Sequence, residues 1–167
     1  MIKVIQENKQ YLSDIDGAIG DGDHGINMNK GFTLCGKELE QNPGDLTHSL
    51  KILSRVLMNN IGGSMGPLYG AFFRAMARVC SGKEVLDAVV FGEMLKNAEV
   101  AVREIGNADV GDKTLLDTLV SAVKAFNEGI EEGKSFGSAL NENERSSNKR
   151  EKFYKGYNCK SRSCKQA

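Results

Sequence analysis

Tryptophan is absent from this 167-residue chain, proline occurs twice, aromatic residues make up 7%, and 22 basic residues balance 22 acidic ones. Each shortage excludes something. Balanced charge gives no whole-chain attraction to nucleic acid or an anionic membrane. No apolar run approaches the ~18 residues that span a bilayer, and no signal-peptide core opens the chain. With 40% hydrophobic residues and 19 glycines, the composition suits a globular domain, not a disordered chain, collagen or a disulfide scaffold. The length suits one domain and hardly two. A cytoplasmic protein with no membrane or nucleic-acid partner is expected. Cys35 and Cys80 lie far apart without histidines at ligand spacing and read as buried reduced thiols, which fits that compartment.

The neutral total hides two different segments. Residues 142–167 carry eight Lys/Arg against three Glu, a balance of +5 that leaves −5 for the rest, and from Asn141 to Ala167 there is no Leu, Ile, Val or Met. Such a stretch buries too little apolar surface to offset its ordering entropy. A domain over 1–140 followed by a basic, disordered tail over 141–167 is therefore expected. Upstream the apolar spacing is helical. Leu46, Leu50, Leu53, Leu57 and Ile61 mark one helix face, with Asp45 or Thr47 as its cap and Gly62-Gly63 as its stop. Pro67 opens a second segment that carries Leu68 to Val79. A third runs from Val85 to Ile105, with Phe91-Gly92 blurring its phase, and a fourth from Leu115 to Phe126, ending near Gly129. No stretch alternates with period two for long. The fold class is all-α, with helices packed side by side.

The chemistry lies in three glycine-rich loops. The first reads D-G-A-I-G-D-G-D-H-G-I-N from Asp16 to Asn27. Three carboxylates, Asp16, Asp21 and Asp23, within eight residues repel one another unless cations neutralise them, and hard oxygen donors select Mg²⁺, Ca²⁺ or Mn²⁺ over zinc. The loop has the composition of an EF-hand but not its register or its twelfth-position Glu, so Mg²⁺ with a phosphate ligand fits better. The bland alternative is a solvated Asx-rich turn. His24 is either a packing or capping residue or a partner of phosphate or carboxylate. Asn27 and the amides of Gly25 and Ile26 open the next helix, whose N-terminus favours phosphate. The second loop, G-G-S-M-G-P-L-Y-G from Gly62 to Gly70, is another candidate anion cradle or an ordinary connection. The third, V-G-D-K-T-L-L-D from Val110 to Asp117, is not a P-loop, and Lys113 is either a phosphate ligand or, the reading favoured by the residue alone, a solvated charge at a helix start.

In this order and spacing, D-x-x-x-x-D-x-D-H-G, G-G-S-M-G-P-L-Y-G and G-D-K-T-L-L-D resemble the L subunit of dihydroxyacetone (glycerone) kinase, over about residues 6–140. The resemblance implies an eight-helix antiparallel barrel that binds a Mg²⁺–adenine nucleotide, ADP or ATP, at one end. Asp16, Asp21 and Asp23 would hold two Mg²⁺ ions. His24, Gly25, Ile26 and Asn27 would meet the phosphates, with Ser64 and Met65 near them, and Gly106 and Leu115 would line the adenine pocket. No residue of this chain is assigned a catalytic role. The implied activity is that of a phosphotransferase subunit. It passes a phosphoryl group to dihydroxyacetone held on a partner K subunit and is recharged by the phosphohistidine M subunit of the phosphotransferase system. Two alternatives stay open: the nucleotide domain of an ATP-dependent glycerone kinase, and a non-enzymatic, nucleotide-loaded regulatory module.

The chain departs from the family pattern at Met65, where Ser is common, and at Val110 and Ser121, where Pro is common. The family's last two helices, with a G-R-A-S-x-L motif, are not found. For Asn143 to Ala167 a permissible set of synonymous codons, read one base later, encodes M-K-E-A-A-I-K-E-R-N-F-I-K-D-I-I-A-K-V-G-R-A-S-R and then begins Leu. A shift of reading frame near residues 140–143 is the expectation that follows. Gene sequence across those codons that is incompatible with this codon choice rejects it.

Overall fold

In the computed structural model residues 1–18 and 20–155 are described, 148–155 as backbone only. They form eight α-helices and no strand: α1 (Ile2–Glu7), α2 (Lys9–Gly17), α3 (His24–Gln41), α4 (Leu46–Asn60), α5 (Met65–Cys80), α6 (Ala88–Gly106), α7 (Leu115–Glu131) and α8 (Phe136–Lys155). The expected all-α class is what the chain adopts. No helix among the described residues is long and apolar enough to cross a membrane. The chain divides into two compact units, Met1–Ser81 and the part from Gly82 onward.

In the first unit α3 lies between α1–α2 on one side and α4 on the other, and α4 packs on α5. The periodicity of α4 buries Leu50, Leu53 and Leu57 on one face, as its spacing predicts. Phe32 of α3 and Phe73 of α5 meet edge to face, with centroids 6.3 Å apart, in the core that also holds Leu57 and Met28. Each such side chain withdrawn from water contributes roughly 1.5–3 kcal/mol. Small residues set how near α4 and α5 come. A Cβ on Gly66 would stand 2.6 Å from the Ile61 carbonyl oxygen, and one on Gly70 2.2 Å from Met58 Cγ. The buried Ser54 hydroxyl donates to the Gly70 carbonyl at 2.7 Å, which fixes the register of the pair. α5 begins at Met65, two residues ahead of the Pro67 start read from the sequence. That shift is tolerated because a proline in the first turn gives up an amide that has no intrahelical acceptor. Cys35 and Cys80 are buried free thiols, as expected.

In the second unit α7 packs against both α6 and α8. Leu95, Val123, Phe126 and Ala139 form its core, closed by the mutually contacting rings of Phe91, Phe126 and Phe136. Gly92, which blurs the sequence period, lets α6 approach α7: a Cβ there would be 2.7 Å from Asn127 Oδ1. Val85, assigned by its spacing to the third helix, precedes α6 and is exposed. α8 begins before residue 141 and continues past it, held to α7 by Asn143 Nδ2 donating to the Ala122 carbonyl and Ser146 Oγ to that of Ser121. Of the tail over 141–167 for which disorder is expected, the part to Lys155 belongs to α8, and residues 156–167, with Cys159 and Cys164, lie outside the described residues.

Candidate functional site

The acidic loop joins α2 to α3. Gly22, at φ +76°, takes a left-handed turn that other residues adopt only with strain, and so lets Asp21 and Asp23 double back over Asp16. Carboxylate oxygens of Asp16, Asp21 and Asp23 all lie within 4.8 Å of one another. Hydrogen bonds stitch the cluster together. The His24 amide donates to Asp16 Oδ2 at 3.3 Å, the Asp23 amide to Asp21 Oδ1 at 3.3 Å, and Asn27 Nδ2 to Asp23 Oδ2 at 2.6 Å. Asp16 is half-buried and the other two are exposed. At this separation each pair of ionised carboxylates repels by about 1 kcal/mol in water and about 3–4 kcal/mol at an effective dielectric of 20. Three hard oxygen donors around one point, open on one side, fit a Mg²⁺-type cation that keeps positions for water or phosphate oxygens. Sulfur and nitrogen ligands are missing from this donor set, which disfavours zinc.

His24, Gly25, Ile26 and Asn27 form the first turn of α3, directly beside the carboxylates. Asp23 is the N-cap residue, yet its side chain makes no cap bond, and the amides of Gly25 and Ile26 are not taken by it. Ser64 stands in the same way at the N-cap of α5 with no side-chain cap bond, and Met65 is the first residue of that helix. α4, α6 and α7, by contrast, are capped by Asp45, Asp87 and Thr114. The starts of α1 and α2 also lack a side-chain cap bond, but those of α3 and α5 lie in the loops where an anion is expected, and a helix N-terminus attracts negative charge.

Two residues not singled out by sequence reasoning complete this end of the first unit. Tyr69, on α5, brings its hydroxyl to 3.5 Å from His24 Nε2, with the rings edge to face at 5.9 Å. Burial pushes its phenol pKa up, so the group remains an O–H. Ser13 of α2 lies under Gly25: a Cβ at Gly25 would fall 1.9 Å from the Lys9 carbonyl oxygen and 2.7 Å from Ser13 Oγ. The Ser13 hydroxyl is buried and has no hydrogen-bond partner among the described residues. Nothing in a linear reading marks either residue, because their partners are brought near by helix packing.

Gly106 and Leu115 belong to the second unit, at the end of α6 and the start of α7. The loop between them is tightly built. The carboxylate of fully buried Asp117 accepts from the amides of Gly111 at 2.7 Å and Thr114 at 2.9 Å, and forms a capping box with Thr114. Arg103 pairs with Asp109 and Glu99. The hydrogen bond from the Val110 amide, then the Arg103 guanidinium, hold the Asp109 carboxyl below its usual range. Asn107 and Lys113 adopt left-handed backbones at φ 44° and 59°, uncommon for non-glycine residues.

Residues 18–152 match the DAK2 domain family. Among curated proteins, the chain is 44% identical over 114 residues to the ADP-binding subunit DhaL of the PTS-dependent dihydroxyacetone kinase of Lactococcus lactis, covering 68% of this chain and 57% of the relative. It is 38% identical over 125 residues to the ADP-binding subunit DhaL of PEP-dependent dihydroxyacetone kinase 1 of Listeria innocua, covering 74% and 63%. To the corresponding ADP-binding subunit of Escherichia coli it is 33% identical over 141 residues, covering 82% and 66%. The chain spans about three-fifths of the length of these relatives.

Proposed function

The chain belongs to the DAK2 domain family, and on that premise we propose that it is the nucleotide-binding subunit of a dihydroxyacetone kinase. The observation that carries this reading is the convergence of Asp16, Asp21 and Asp23 immediately before a helix start with no side-chain cap. The relatives described as ADP-binding subunits support the identity of the anion. Asp16, Asp21 and Asp23 are the ligands of two Mg²⁺ ions, which when bound supply the positive charge that a transferring phosphoryl group needs.

The protein's own residues then position and bind. The amides of Gly25 and Ile26 and the side chains of His24 and Asn27 meet phosphate oxygens, as do Ser64 and Met65 at the start of α5. Holding donors on helix starts costs no reorganisation when the phosphate arrives, which is the main contribution a protein makes to phosphoryl transfer. The acceptor is dihydroxyacetone on a partner K subunit in the cytoplasm, and a phosphohistidine M subunit of the phosphotransferase system renews the phosphoryl group. The names of the L. lactis and Listeria relatives, PTS-dependent and PEP-dependent, support that donor over free ATP.

Asp21→Asn tests the reading. The variant removes one ligand charge from an exposed loop residue, so folding is preserved while Mg²⁺-dependent ADP affinity falls at least tenfold by titration calorimetry. Unchanged affinity in saturating Mg²⁺ contradicts the three-carboxylate site.

A further inference from the structure

We infer that Tyr69 is a positioning residue that fixes the tautomer of His24, so that the imidazole presents its N–H from Nδ1 to the bound anion. The inference rests on the proposed nucleotide site and adds to it a residue outside the phosphate-contacting set. Among the described residues the Tyr69 hydroxyl makes one hydrogen bond, the contact with His24 Nε2 at 3.5 Å. A partly buried hydroxyl hydrogen without an acceptor is less favourable than an unpartnered oxygen lone pair. The hydroxyl therefore donates and Nε2 accepts. A neutral imidazole has one donor and one acceptor nitrogen, so its proton sits on Nδ1. Phosphate oxygens only accept, and a ring whose donor is already set meets them without a tautomer change.

The phenol cannot drift from this place easily. Tyr69 precedes Gly70, whose carbonyl is held by the buried Ser54 hydroxyl at 2.7 Å. Gly66 and Gly70 bring α5 close against α4, where a Cβ on either would collide. The edge-to-face ring contact, 5.9 Å between centroids at 75°, orients the imidazole as well.

The chain contains one other histidine, and it is an internal standard. His48 Nε2 lies 3.0 Å from the Asn42 carbonyl oxygen, which can only accept, so this ring carries its proton on Nε2. Nitrogen-15 spectra of the two rings at pH 8, without nucleotide, are expected to show opposite tautomers. In Tyr69→Phe, which keeps the ring contact and removes only the hydroxyl, His24 shifts toward the Nε2–H form while His48 is unmoved. ADP affinity in Mg²⁺ falls about threefold to tenfold, the range for one lost hydrogen bond, and adenosine affinity is unchanged. A wild-type His24 signal in the Nε2–H form, or one identical in the wild type and Tyr69→Phe, overturns the inference. If the wild type fails to bind ADP, the nucleotide reading fails, and the ring signals still decide this one. An altered His48 signal would report disturbed folding of the variant, and the wild-type spectrum then decides by itself: a His24 ring in the Nε2–H form rejects the role.

Discussion

Gly25 shows how closely the site is built at the scale of one residue. Its single hydrogen faces the backbone of α2, where a Cβ would lie 1.9 Å from the Lys9 carbonyl oxygen and 2.8 Å from the Ser13 amide nitrogen. Those are backbone atoms, so relief requires α2 and α3 to separate. Gly25→Ala is expected to cost about 1–3 kcal/mol by overpacking, which lowers the melting temperature of a chain this size by roughly 2–12 °C. An unshifted thermal melt contradicts the close approach. The three aspartates were legible in the sequence because their spacing alone forces charges together. Tyr69 was not: it stands 45 positions from His24, and only the packing of α4 with α3 and α5 makes them neighbours.

Helix starts differ in purpose at the scale of elements. Asp45 Oδ1 accepts from the His48 amide at 2.7 Å and Asp87 Oδ1 from the Val90 amide at 2.8 Å, while Asp23 and Ser64 make no such bond. Asp87→Ala is therefore expected to lose about 1 kcal/mol of stability in chemical denaturation, and Ser64→Ala less than about 0.5 kcal/mol. Equal losses contradict the division between capped helices and open ones. Helix faces with three or four strong apolar residues, as in α4 and α7, could be read directly. α8 could not, because its hold beyond Ala139 comes from Asn143 and Ser146 bonding to α7 carbonyls, and apolar periodicity is blind to polar side chains that pack. Val85 misled for the opposite reason: an apolar residue in step with a helix face lies exposed before the helix begins.

Over the whole molecule, every residue assigned to metal and phosphate falls in the first unit, which has its own core around Phe32, Leu57 and Phe73. The loop from Gly106 to Leu115 is ordered within the second unit by the buried Asp117 and the Arg103 pairs. The chain spans about three-fifths of its relatives' length, so what these residues accomplish by themselves is a question for the full 167-residue chain. Titration calorimetry with ADP, in the presence and absence of Mg²⁺, asks it most directly. The account predicts saturable binding of one ADP per chain that requires Mg²⁺. Binding of equal strength without Mg²⁺, or no binding in either condition, would contradict it.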